Sequence, residues 1–137
     1  MQKNIIEINL PSELESIDKA VAKATEFATD CGFSEEELFG VDLAVRESVT
    51  NAIKHGNKFD ESKDVVISME NVEKTLIITV RDFGDGFAVD DVPDPTNPEN
   101  LLKSTGRGIL FMNNFMDEIE WINHSEGGTI VKMTKKH

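Results

Sequence analysis

The chain has 137 residues, room for one domain with a real core, and carries 26 Asp and Glu against 14 Lys and Arg, a net charge of −12. Phosphate surfaces are gripped by clustered Lys and Arg, so this balance argues against direct nucleic-acid or anionic-membrane binding and favours a partner with a basic face. Cys31 is the only cysteine, which excludes an intramolecular disulfide and a cysteine-based metal site; with no signal peptide or long apolar run, the expectation is a soluble, cytoplasmic protein.

Lys3 to Leu10 alternates around Ile6 and Ile8 and predicts a strand. Pro11-Ser12 opens a helix, with Ser12 and Glu15 spaced for a capping box. Leu14, Ile17, Val21, Ala24 and Ala28 keep the helical period until Cys31-Gly32, where glycine can end it. Ser34 and Glu37 repeat the capping signal, and a second helix is predicted to run to about His55. Val65, Ile67 and Met69 alternate with polar residues, as do Leu76, Ile78 and Val80, and Asn71 to Thr75 fits a hairpin turn. The stretch from Asp82 to Thr105, with Pro93, Pro95 and Pro98, has almost no periodicity; a loop of this length inside a domain is usually functional or mobile. Ile109 to Met116 predicts a short helix, and Glu118 to Asn123 with Thr129 to Thr134 a final hairpin around Gly127-Gly128. The order β, α, α, β, β, loop, α, β, β predicts an α+β fold. Its form would be a two-layer sandwich, with a mixed, mainly antiparallel sheet and helices on one face. No linker or repeat divides residues 1–137, so one domain is expected.

Three glycine-bearing stretches carry candidate chemistry. In E-S-V-T-N-A-I-K-H-G, residues 47 to 56, the four-residue spacing places Glu47, Asn51 and His55 on one helix face. Leu38, Val41, Val45, Val49 and Ala52 mark a different, core-facing stripe. The run D-F-G-D-G follows a strand, so Asp82 would stand at the strand's end and could accept a hydrogen bond from an exocyclic amine. Gly84 and Gly86 would let a ligand approach the backbone. Ser104-Thr105-Gly106-Arg107-Gly108 precedes a helix, whose free N–H groups and dipole suit phosphate, with Lys103 and Arg107 adding cationic charge. Neither a P-loop nor a G-x-G-x-x-G dinucleotide fingerprint is present.

Taken in order, E-x-x-x-N-A-x-x-H-G, D-x-G-x-G and G-x-G before a helix resemble the N, G1 and G2 boxes of the GHKL ATP-binding fold, and Gly127-Gly128-Thr129 resembles its following glycine-threonine element. The similarity spans nearly the whole chain. It is greatest to the bacterial anti-sigma factors that are also serine protein kinases, including the run F-M-N-N-F-M-D-E at residues 111 to 118. The resemblance implies ATP and Mg²⁺ as cofactors, with Asn51 as the metal ligand and Glu47 as the general base. It implies adenine recognition by Asp82, supported by Thr129. Nucleotide contacts would come from Gly84, Gly86, Lys103, Thr105, Gly106, Arg107 and Gly108, and residues 87–105 would form a lid. The implied partners are a sigma factor and a STAS-type anti-anti-sigma protein bearing the substrate serine, and the implied assembly is a homodimer. His55 is given a structural role at the helix end. One departure stands out: the sporulation branch carries an arginine two residues before the first G2 glycine, where this chain has Ser104, leaving Lys103 or Arg107 to neutralise the γ-phosphate. Two other readings share these boxes, a non-catalytic nucleotide-gated binding module and a histidine-kinase-like ATPase domain acting on another protein.

Overall fold

The computed structural model describes residues 4–84, 115–123 and 127–136. Strand β1 (Asn4–Pro11) is followed by helices α1 (Glu15–Asp30) and α2 (Glu35–Asn51). Then come β2 (Asp64–Val72), β3 (Thr75–Arg81), β4 (Glu118–Asn123) and β5 (Thr129–Lys136). The five strands form one sheet in the order β1-β2-β3-β5-β4, and every pairing among the described residues is antiparallel. The predicted α+β sandwich is therefore found, with a wholly antiparallel sheet over these strands.

Alternation sets which face of the sheet is dry. Val65, Ile67 and Met69 of β2, Leu76, Ile78 and Val80 of β3, and Val131 and Met133 of β5 are buried. The cross-strand pairs Ile67–Val80, Met69–Ile78, Ile78–Met133 and Val80–Val131 keep them on one face. That face forms one cluster with Ala20, Ala24 and Ala28 of α1 and Val41, Ala44, Val45 and Val49 of α2. Small residues four apart on α1 let the two helices lie close, and Arg46 of α2 adds ion pairs to Asp42 (3.2 Å) and, across to α1, Asp18 (3.1 Å). These pairs are exposed and add little stability; the apolar layer holds the helices down.

Local chemistry accounts for the ends. Ser34 Oγ accepts from Glu37 N and Glu37 Oε1 accepts from Ser34 N, the predicted capping box. The other predicted box is not made. Helix α1 begins after Leu14 with no side-chain cap, because the Ser12 hydroxyl turns inward and donates to Lys63 O at 2.6 Å. Gly32, at φ +96°, follows α1 as expected of a terminating glycine. The β2–β3 hairpin turns on Glu73 and Lys74, both at positive φ (49° and 63°), inside the predicted span. Helix α2 does not run to His55 in its α form: Ala52–Gly56 is a π-helical turn, closed by Asn57 N donating to Ala52 O at 2.8 Å. Of the short helix predicted over Ile109 to Met116, only Phe115, which is helical, and Met116, which is not, are described.

Candidate functional site

The site is built where the C-terminal end of α2, the end of β3 and the start of β5 converge. Asn51 is the last residue of α2 and is 6% exposed, and its side chain makes no hydrogen bond to another described residue. Glu47 lies one turn earlier and is half-buried. Burial pushes its carboxyl above the usual glutamate range, while Lys54 and Arg46 oppose the shift. Beyond Asn51 the π turn changes the angular spacing, so the four-residue stripe does not continue: His55 is exposed, whereas Asn51 and Gly56 are buried. The structure thus separates His55 from the other two.

Asp82 sits just past β3 and is 2% exposed. Its N–H donates to Thr129 O at 3.0 Å, extending the β3–β5 ladder by one bond. Its carboxylate Oδ1 accepts from Gly84 N (3.1 Å) and Thr129 N (3.2 Å), so among the described residues both bonds fall on one oxygen and Oδ2 has no donor. Thr129 is 1% exposed, and its Oγ1 is buried with no hydrogen-bond partner among the described residues. The second carboxylate oxygen of a buried aspartate, with no described donor, and a buried hydroxyl are what a site needs if a polar ligand edge completes it.

Glycines bring the backbones together here. A Cβ on Gly84 would collide with Gly56 O, and one on Gly56 with the Asp82 carboxylate. One on Gly128, at φ +89°, would strike Asp82 O. The end of the π turn, the Asp82–Gly84 segment and the start of β5 therefore meet at distances that only glycine allows. Sequence reasoning singled out Glu47, Asn51, Asp82, Gly84 and Thr129; the structure brings Asp82, Gly84 and Thr129 into direct contact and sets Gly56, from the end of the first motif, against them. Gly86, Lys103, Thr105, Gly106, Arg107, Gly108, Ser104 and the lid segment 87–105 lie outside the described residues. Sequence reasoning missed Asn57, whose signal was only that of a polar residue beside a turn, and read Ser12 as a helix cap where its hydroxyl instead meets Lys63 O and Asn57 Nδ2.

Burial raises the Asp82 carboxyl above the ordinary aspartate range, and the bonds from Gly84 and Thr129 only partly offset this. The folded chain therefore holds this proton more tightly than the unfolded chain. Stability from this group is full below the ordinary aspartate pKa and is lost as pH rises through the raised one, so at neutral pH the charge is a cost. Asp82→Asn keeps an oxygen for the two N–H donors and removes the charge. The ligand-free variant is expected to melt at or above the wild-type temperature at pH 7, and this advantage should shrink as pH falls through the raised Asp82 pKa. Thermal unfolding followed at several pH values measures both; a large loss of stability at pH 7 would contradict the electrostatic account.

The sequence profile of a family described as the histidine kinase-like ATPase domain matches residues 10–135. The chain belongs to this family. Relatives named anti-sigma F factor from Bacillus thuringiensis and Bacillus cereus are 36% identical over 135 residues, covering 94% of this chain and 91% of theirs. Within the histidine kinase-like ATPases it falls with these anti-sigma factors. Its fold matches the RsbU and RsbW domains of a Mycobacterium tuberculosis protein with TM-score 0.71, at 17% identity, covering 97% of this chain and 32% of that one. It also matches the SiaB–SiaC complex of Pseudomonas aeruginosa with TM-score 0.70 at 12% identity, covering 94% of this chain and 88% of that one. For a histidine kinase-like ATPase, the donor set at Asp82 and Thr129 fits an adenine amino edge: a carboxylate oxygen to accept from the amine and a hydroxyl able to donate or accept beside it. Among the described residues, no helix is long and apolar enough to cross a membrane.

Proposed function

We propose that this histidine kinase-like ATPase is an ATP-dependent serine kinase of a STAS-type anti-anti-sigma protein and that it also sequesters a sigma factor. The reading makes it a cytoplasmic homodimer whose two protein partners compete for it. The observation that carries the proposal is the Asp82 carboxylate, on a buried residue and fixed by Gly84 and Thr129 through one oxygen, with no described donor to the other. This stands in a chain 36% identical to anti-sigma F factors.

Bound Mg·ATP supplies the phosphoryl group for transfer. Asp82 Oδ2 accepts from the adenine amine, while Thr129 Oγ1 serves the same edge. The Asn51 side-chain oxygen would hold Mg²⁺, a hard cation that prefers oxygen and would supply charge to the phosphates. Glu47, a turn earlier on α2, takes the proton from the attacking serine hydroxyl. Its raised pKa makes it a stronger base than an exposed glutamate. Phosphoryl transfer needs little covalent help from protein, so positioning by the packed end of α2 is the main contribution. Lys103, Thr105, Gly106, Arg107 and Gly108 are assigned to the phosphates, with Gly86 beside the nucleotide and residues 87–105 as the lid.

The test uses purified protein, ATP labelled on the γ-phosphate, and the STAS-domain proteins encoded by the same genome. Label should appear on a serine of one of them, and that protein should displace a sigma factor from the kinase. Absence of label on all of them, with ATP-dependent sigma-factor capture retained, would replace the kinase by a nucleotide-gated binding module. Label on an unrelated protein instead would favour a histidine-kinase-like ATPase domain with another substrate.

A further inference from the structure

Asn57 follows the π turn and is 2% exposed. Its side chain is consumed on both sides. Nδ2 donates to Ser12 Oγ at 2.8 Å and Asp64 O at 3.1 Å, while Oδ1 accepts from Phe83 N at 2.8 Å. Ser12 in turn donates to Lys63 O. One amide thus ties together the β1–α1 corner, the end of the α2 segment, the start of β2 and the residue after Asp82.

The Phe83 bond matters because of where the sheet stops. The β2–β3 ladder ends at the pair Val66–Arg81, and Asp82 N is taken by Thr129 O. Phe83 N lies past the last ladder bond and, among the described residues, is claimed by Asn57 alone. Asp82 is accordingly held from β5 on one side and, through its neighbour's amide, from the end of the helix on the other. The preceding residue, Gly56, closes the contact by packing against Asp82 and Gly84.

We propose that Asn57 is a positioning residue for the nucleotide site, fixing the Asp82–Gly84 segment so that the Asp82 carboxylate faces the ligand before the ligand arrives. It does not touch nucleotide, since its donors and its acceptor are already engaged within the protein. Pre-set geometry of this kind is what lets a single carboxylate discriminate. This role rests on the assignment of Asp82 to nucleotide, but the clasp itself is a property of the ligand-free protein.

Amide exchange by NMR separates the two. In the ligand-free wild type, Phe83 N–H should exchange slowly although it lies beyond the sheet. In Asn57→Ala, the Phe83 and Gly84 amides should exchange much faster while Ile67 and Ile78 in the ladder remain protected. Fast Phe83 exchange in the wild type, or no change in the variant, overturns the clasp whether or not ATP binds. The functional half compares Mg·ATP dissociation constants with Ser12→Ala, which damages the same network but spares the Phe83 bond. Asn57→Ala should weaken binding by about tenfold or more and Ser12→Ala by less than about threefold, even where both lower the melting temperature. Equal losses in the two would reduce Asn57 to a structural residue. Should Asn57→Ala not fold, Asn57→Ser, whose hydroxyl is too short to reach Phe83 N, is measured in its place and the same outcomes are read on it. A wild type that binds no ATP but shows a slow, Asn57-dependent Phe83 amide would refute the nucleotide reading and leave the clasp standing.

Discussion

Glu47→Gln should stop phosphoryl transfer to the partner serine while Mg·ATP binding remains. The amide keeps the size and the half-buried seat on α2 but cannot take a hydroxyl proton at neutral pH. Removing a general base typically costs about 10²–10⁴-fold in rate, more than any small change in nucleotide affinity could produce. The wild-type rate carries its own signature. Because burial lifts the Glu47 pKa, the active, deprotonated base should be lost on acidification at a pH above that of an exposed glutamate, and transfer should fall there. Single-turnover measurements with labelled ATP across the acid range follow both effects. Transfer that continues almost unchanged in Glu47→Gln would make Glu47 an ordinary helix-surface carboxylate.

The second large effect is expected at Asn51. Its side chain is buried at the end of α2 and spends no hydrogen bond on a described residue, so truncation to alanine should leave the fold intact. Mg²⁺-dependent nucleotide affinity should fall by on the order of a hundredfold or more, since loss even of a group supporting a metal ligand costs about 10–100-fold. Calorimetric titration with ATP, with and without Mg²⁺, separates this from a general loss of binding. In Asn51→Ala the two titrations should nearly coincide. A Mg²⁺ dependence as large as in the wild type would remove Asn51 from the metal site.

Much of this arrangement is legible in the residues because it rests on short-range patterns. Alternation of Val65, Ile67 and Met69 with polar neighbours fixes both a strand and its buried face, and Ser34 with Glu37 announces the start of α2. What the sequence hides is competition for the same polar group. Ser12 is spaced from Glu15 as a cap, yet its hydroxyl has a better-buried partner in Lys63 O, an interaction 51 residues away. The π turn is hidden for a similar reason. Its apolar residues, Ala52 and Ile53, suit an α-helix equally well, and the wider turn is seen only where Asn57 N reaches Ala52 O and Gly56 meets Asp82. Asn57 reads locally as a loop residue, and its importance comes from four segments that are separated in sequence. Asp82 was recognisable at a strand end, but its fixation by the Thr129 backbone required the β3–β5 pairing, whose long connection no local pattern specifies.

The central claim is that the buried Asp82 carboxylate reads adenine in this histidine kinase-like ATPase, and competition between Mg·ATP and Mg·GTP on wild type and Asp82→Asn tests it most directly. A carboxylate only accepts hydrogen bonds, whereas the amide can present a donor to the same amine; loss of one charge-assisted bond typically costs about 1.5–3 kcal/mol. The wild type should prefer ATP, and Asp82→Asn should bind ATP on the order of ten- to a hundredfold more weakly with that preference relaxed, in a protein at least as stable as the wild type. An ATP-over-GTP preference of the same size in both proteins would contradict the account.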